Sequence, residues 1–179
     1  ITDSEVVSSL QNELAVDATI AKLLSLRGIT SFDEAKSFFR PSLDMLHDPF
    51  LMKGMGVAVD RIVQAIANKE KVLIFGDYDV DGTTSVALVY SFFKKYIAEM
   101  RYYIPDRYAE GYGISFKSID YAAENNYSLI IALDCGIKAI DKIDYANSKN
   151  VDFIICDHHL PVDDIPKAIA VLDPKQHDF

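Results

Sequence analysis

The stretch KVLIFGDYDVDGTTS, Lys71 to Ser85, decides how this chain folds. Its apolar run Val72-Leu73-Ile74-Phe75 has the length of a buried strand. Gly76 breaks the run, and three carboxylates follow at alternate positions, Asp77, Asp79 and Asp81. In extended backbone such alternation puts all three on one face. Like charges so crowded repel unless a cation or protons intervene. Gly82 permits a tight turn, and Thr83, Thr84 or Ser85 can cap a following helix. Strand, acidic turn and helix describe a hard-cation site at the carboxyl end of a sheet strand, where open α/β sheets bind ligands.

Outward from this stretch the pattern alternates. A helix over Val57 to Asn68 precedes the first strand, and a helix over Thr83 to Ile97 follows it. Strand Arg101–Ile104 leads to Pro105, a loop and a helix over Ser115 to Asn125. Strand Leu129–Leu133 leads to a helix over Lys138 to Ser148, strand Asp152–Cys156 to a loop, and Ala168–Leu172 closes the series. Such alternation predicts an α/β fold, a parallel sheet flanked by helices. Residues 1–56 lack a strand pattern and read as a helical N-terminal arm with an irregular connector. Val6, Val7, Leu10 and Leu14 recur at helical spacing, as do Ile20, Leu23, Leu24 and Arg27. Ser31 and Glu34 fit a capping box for a third helix that Pro41 stops. The expected division is therefore 1–56 for the arm and 57–179 for the α/β domain.

The totals bound the function. Half of the 179 residues are hydrophobic, enough for a real core. A formal net charge of −9 argues against bulk attraction to nucleic acid or anionic membrane by this stretch alone. No window approaches a membrane span, and no signal-peptide pattern opens the chain. The two cysteines, Cys135 and Cys156, end apolar runs and read as buried residues of a reducing cytosol, so the expected location is cytoplasmic. His47 reads as a surface loop residue. The chain opens at Ile1 rather than Met and ends in DPKQHDF without a stop signature, so it is expected to be an excised piece of a longer protein.

Four strand ends carry the chemistry. The first offers Asp77, Asp79 and Asp81; the second Asp106, Arg107 and Glu110; the third Asp134-Cys135-Gly136; the fourth Asp157-His158-His159. A parallel sheet brings all four to one edge. Carboxylates with imidazole suit Mn²⁺, Mg²⁺ or Zn²⁺, and the lack of cysteine pairs argues against structural zinc. Several carboxylates around one bridging acid suit two metals roughly 4 Å apart acting on a phosphoryl group. Arg107 has two readings, a bidentate phosphate contact or an ion pair with Glu110 or Asp106. Tyr103, Tyr108 and Tyr112 can stack on bases, but packing is the more common role of such tyrosines. Lys94 and Lys95 complement a helix dipole.

DYDVDG at Asp77–Gly82, DCG at Asp134–Gly136 and DHH at Asp157–His159 resemble the first three metal-binding motifs of the DHH phosphoesterase superfamily. The longer GDYDVDGTTS, YIPDRYAEGYG at Tyr103–Gly113, and the upstream RGI and FFRPSLDMLHDPFLMKGM resemble its RecJ-type single-strand-specific 5′→3′ exonucleases. The resemblance covers nearly the whole chain. It implies an incomplete DHH-type domain and metal-dependent phosphodiester hydrolysis in DNA repair and recombination. By motif, Asp77 and Asp79 would hold one Mn²⁺ or Mg²⁺, Asp81 and His158 a second, and Asp134 would bridge. His159 would face the scissile phosphate, and Asp157 would orient His158 from behind. The family's later metal-binding Asp and substrate-binding second domain are not visible before Phe179; Asp173 and Asp178 are left without a role. On this ground the 179-residue chain is expected to bind metal and DNA weakly and to turn over slowly.

Within the superfamily, the net charge favours a small substrate: short oligoribonucleotides, cyclic dinucleotides, bisphosphorylated nucleotides or pyrophosphate. The GDYDVDG and EGYG contexts and the helical arm favour single-stranded DNA. A non-catalytic scaffold would have lost its acids, which are present here. A dinucleotide binder is disfavoured because GDYDVDG lacks G-x-G-x-x-G and sets acids where a pyrophosphate would sit.

Overall fold

The structure, a computed structural model, describes residues 3–176. Two compact units divide it, Ile1–Asp48 and Pro49–Phe179. The first contains α1 (Ser4–Leu14), α2 (Ala18–Leu26) and α3 (Phe32–Phe39). Asp3 and Asp17 cap the first two helices through their carboxylates, and Ser31 with Glu34 closes the expected capping box on the third. Leu10, Ala21, Leu24, Ile29 and Ala35 form a small core of their own.

The second unit runs α4 (Met55–Ala67), β1 (Lys71–Gly76), α5 (Val80–Phe93), β2 (Met100–Tyr103), α6 (Phe116–Glu124), β3 (Tyr127–Leu133), α7 (Ile140–Ser148), β4 (Asp152–Cys156) and β5 (Ala170–Leu172). It begins at Pro49 rather than after residue 56, because Met52 and Met55 pack against the core of this unit. Among the described residues no helix is long and apolar enough to cross a membrane.

All five strands are parallel, in the order β2-β1-β3-β4-β5. Strand alternation sorts the apolar residues into two layers. Leu73, Phe75, Ile130, Ala132, Phe153 and Ile155 face α6 and α7, joined by Ile119, Ala122, Ile143 and Ala146. Val72, Ile74, Leu129, Ile131, Ile154 and Leu172 face α4 and α5, joined by Ala58, Ala65 and Val86. Each fully buried Leu, Ile or Phe contributes about 1.5–3 kcal/mol, so the central strands form a rigid base for whatever their ends carry. The chain leaves β1 for β2 on one side and reaches β3 on the other. That reversal opens a crevice at the carboxyl ends of β1 and β3.

Candidate metal centre

β1 and α5 meet more tightly than an alternating acidic loop would allow. A Cβ on Gly82 would lie 2.6 Å from the Asp77 nitrogen, and one on Gly76 would lie 2.8 Å from the Gly82 oxygen. Glycine at both positions lets the helix start directly against the strand end. The helix therefore begins at Val80, not near Thr83, and its cap is Asp79, whose Oδ1 accepts from the Gly82 N–H at 2.9 Å. Asp81 sits in the first turn, where the helix dipole favours an acid. So the three acids are not three teeth of one extended segment. Asp77 is wholly buried, while Asp79 and Asp81 are exposed at the helix start.

Asp77 Oδ1 accepts a 3.3 Å hydrogen bond from the Gly113 N–H, and its Oδ2 is buried without a partner. A buried carboxylate oxygen left unpaired costs on the order of 1–3 kcal/mol or more, which a cation relieves.

Asp134 follows β3 with φ 61°, a left-handed conformation that Asp tolerates better than most residues. Its N–H donates to the Cys156 carbonyl at 2.8 Å, which ties it to β4. Its Oδ1 lies 2.9 Å from His158 Nε2. Asp134, His158 and His159 each offer a ligand atom within 4.8 Å of the others. Burial raises the Asp134 pKa, the charges of Asp79 and Asp81 add to the rise, and the two histidines oppose it. Asp77, Asp79 and Asp81 are not in this tight cluster, but they share its field. The Tyr112 phenol is pushed up to about 12, by burial first and then by Asp77, Asp134 and Asp79.

Asp157 differs from its expected role. Its Oδ1 lies 2.7 Å from His159 Nδ1 and accepts from the His158 and His159 amides at 2.7 and 3.1 Å. Its Oδ2 accepts from the Ile137 N–H at 2.9 Å. The carboxylate thus orients His159, not His158, because the turn after β4 directs the second imidazole back over it. Burial pushes the Asp157 pKa up, but these hydrogen bonds outweigh it and the pKa is lowered. An Nδ1–H held by Asp157 leaves His159 Nε2 free for a ligand.

Among the described residues Arg107 makes no ion pair. Its expected partners are occupied: Asp106 caps the Tyr108 and Ala109 amides, and Glu110 takes the Tyr103 and Ser115 hydroxyls. The Arg107 guanidinium instead stands 5.3 Å from the centre of the Tyr78 ring, exposed at the rim. The tyrosines divide. Tyr103 stacks on Phe75 in the core layer, whereas Tyr108 is 95% exposed and Tyr112 56% exposed. Tyr112 meets Tyr78 and His159 edge-on, so Arg107, Tyr78, Tyr112 and His159 form one continuous rim.

Residues that sequence reasoning passes over complete the site. Tyr78 lies inside the acidic motif, hidden by the acids on either side. The Gly113 and Ile137 amides carry no residue-type signal. Asp173, after β5, is wholly buried; its Oδ1 accepts from the Lys175 N–H and its Oδ2 has no partner, but it is not in the ligand cluster. Asp178 lies outside the described residues. Cys135 and Cys156 are free, and burial raises both thiols.

The donor set fits a hard divalent cation: carboxylate oxygens, two imidazoles and an orphaned buried oxygen on Asp77.

The model of the DHH family, N-terminal domain, matches residues 71–179. The single-stranded-DNA-specific exonuclease RecJ of Bacillus subtilis is 40% identical over 174 residues, 97% of this chain and 22% of the relative. RecJ of Escherichia coli is 30% identical over 160 residues, 89% of this chain and 27% of the relative. A crystal structure of exonuclease RecJ bound to manganese superposes with TM-score 0.67 at 26% identity, covering 74% of this chain and 34% of that one. RecJ of Thermus thermophilus in complex with Mn²⁺ shares the fold with TM-score 0.71 at 22% identity, covering 97% of this chain and 24% of that one. The chain thus spans about a fifth of the length of the Bacillus relative. With the family match over the whole α/β sheet, and acids and histidines gathered at its carboxyl edge, this chain belongs to the DHH family.

Proposed function

We propose that the chain carries the metal-binding part of a phosphodiesterase that removes nucleotides from the 5′ end of single-stranded DNA. The observation that carries this is the cluster of Asp134, His158 and His159 beside the unpaired, buried Asp77 oxygen. Asp77, Asp79, Asp81, Asp134 and His158 would hold two Mn²⁺ or Mg²⁺ ions. Bound there, the ions would activate a water and neutralise charge on the phosphoryl group.

The protein's own part is positioning. Asp157 fixes the His159 ring and its tautomer, so that Nε2 faces the site with a defined capacity to accept or return a proton. Arg107, braced on Tyr78 and free of carboxylates, grips a substrate phosphate. Tyr112 lines the approach to His159. The names of the relatives support the substrate, and a cytoplasmic location fits the two free thiols. The net charge of −9 supports a second reading, a small phosphate ester in place of a strand.

The test uses a 5′-labelled single strand and a cyclic dinucleotide, each with Mn²⁺. Mn²⁺-dependent release of label from the strand is the expected result. Cleavage of the cyclic dinucleotide alone would move the assignment to the second reading. Mn²⁺ at a hundredfold excess over its Kd should also raise unfolding stability by about 2.7 kcal/mol.

A further inference from the structure

We infer that the cavity beside the metal centre, between the segment leading into α6 and the start of α7, is a phosphate subsite for the strand, holding a backbone phosphodiester one or more nucleotides away from the one at Asp134. This rests on the reading above.

The cavity encloses about 430 Å³, within the range of small-ligand sites. Tyr112 to Phe116 form one wall, and Cys135, Gly136, Lys138, Ala139 and Lys142 form the other. Both walls are continuous with the metal centre. Cys135 and Gly136 directly follow Asp134, and the Gly113 amide is the donor to Asp77. A strand bound across His159 and Tyr112 therefore has this cavity as its next stop.

Its charge runs against that of the chain. In a protein of net charge −9, the cavity carries Lys138 and Lys142 against one acid, Glu110. Glu110 is inward and occupied. Its side chain is 4% exposed and accepts from the Ser115 hydroxyl at 2.6 Å, the Tyr103 hydroxyl at 3.0 Å and the Asp106 N–H at 3.1 Å. Lys117 stands 3.7 Å from it. Among the lining side chains the free charge is therefore that of the lysines, set next to the carboxylates of the metal centre, whose charges reach Tyr112 and Cys135 on the walls. Lys138 is exposed and, among the described residues, has no ion pair. Lys142 Nζ lies 5.1 Å from the centre of the Phe116 ring and 2.8 Å from Asp141 Oδ2. That surface pair joins adjacent residues and is weak enough for an arriving anion to displace. The N-cap of α7 is Ala139, which offers no side-chain oxygen to the first-turn amides, so these add to the attraction.

The chemistry selects phosphate. Ammonium groups act as point charges and suit the spread charge of a phosphodiester. Tyr112 and Phe116, 56% and 46% exposed, flank them with ring faces on which the attached nucleoside can rest.

The experiment is a nitrogen-15 NMR titration of the chain in Mg²⁺ with three probes: inorganic phosphate, thymidine 5′-monophosphate, and a thymidine trinucleotide with a free 5′ hydroxyl. The trinucleotide should shift the amides of Gly136, Lys138 and Ala139. Lys138→Glu should weaken its binding about tenfold, which is 1.4 kcal/mol, and Lys138→Arg should restore most of it. Mn²⁺ affinity should be the same in all three proteins. Shifts confined to Asp77–Gly82 and Asp157–His159, or native affinity in Lys138→Glu, would overturn the subsite. Shifts with the monophosphate and none with the trinucleotide would assign the cavity to a terminal phosphate monoester and overturn its place on the strand. Cleavage of bis(p-nitrophenyl) phosphate by the unaltered chain tests the metal centre separately. Its failure would sink the proposed function and leave the titration to judge the cavity.

Discussion

Glu70 and Asp152 stand at the amino ends of β1 and β4, and Asp77 and Asp157 stand at the carboxyl ends of the same strands. At the amino end the acids are given their own cation. Arg61, from α4, reaches Asp152 through Nε and Glu70 through Nη2, both at 2.7 Å. Ser128 and Asn68 also donate to Glu70. At the carboxyl end no Lys or Arg among the described residues pairs with Asp77, Asp79, Asp81 or Asp134. Their partners are the Gly82 and Gly113 amides and the His158 imidazole, and one Asp77 oxygen has none. The amino end is neutralised from within, whereas the carboxyl end requires charge from outside. On the proposed function the first arrangement serves stability and the second serves binding, which gives each end its own signature under mutation.

The largest effect should come from Asp134→Asn. Asparagine tolerates the left-handed backbone at φ 61° and keeps the size, so the change isolates the charge. Loss of several kcal/mol of charge stabilisation predicts a fall in hydrolysis on the order of 10³-fold, with Mn²⁺ affinity lost in parallel. Metal-free stability should rise, because burial first, and then the charges of Asp79 and Asp81, disfavour a carboxylate at this position. Urea unfolding in a chelator checks this; a less stable variant would mean that Asp134 is there for the fold.

Arg61→Met makes the reverse change at the other end. Two acids lose their cation in a partly buried site, and the expected loss is about 2–3 kcal/mol, since Asp152 remains partly solvated. Mn²⁺ affinity measured by calorimetry should not move. A drop in metal affinity would show that the two ends are coupled through the sheet and would break the contrast.

How far this division can be read from the residues depends on the kind of signal. The run Val72–Phe75 announces a strand because β1 is central and apolar on both faces. The acids and histidines are legible as residue types at strand ends. Strand order is not, since crossover lengths do not say on which side of β1 the third strand lands. The start of α5 is misplaced by the pattern because DYDVDG alternates equally well as a strand extension and as a helix cap. The choice is made by Gly82 closing on the Asp77 backbone, a tertiary contact. Arg107 on Tyr78 and Asp157 on His159 escape for a related reason: sequence ranks partners by nearness along the chain, and the turns choose others.

Asp157→Asn probes the carboxyl end without touching the unpaired acids. The variant weakens the hold on His159 Nδ1 and should lower turnover by about 10–100-fold. If His159 faces the phosphate, Mn²⁺ affinity should stay within a few-fold of native. An equal loss of metal affinity would instead make His159 a ligand, as its place in the cluster with Asp134 and His158 also permits.

The smallest effect is expected from Ser128→Ala, which removes one donor from Glu70 and leaves Arg61 in place. A single hydrogen bond to a charged group predicts a loss of about 1–2 kcal/mol at neutral pH. Its pH dependence carries the sharper information. Burial acts to raise the Glu70 pKa, but the Ser128 hydroxyl, Arg61 and Asn68 together lower it below the ordinary 4.5. A carboxylate whose folded pKa is depressed contributes stability that is present above its unfolded pKa and lost as pH falls through the folded one. The difference between native and Ser128→Ala should therefore be full above a pH of about 4.5 and shrink below it, as Glu70 becomes protonated in both proteins. Urea unfolding at about pH 7 and about pH 3, in chelator to silence the metal centre, reads this directly. An undiminished difference at the lower pH would mean that Ser128 contributes through packing alone, and that the closure of the amino end owes less to charge than Arg61 suggests.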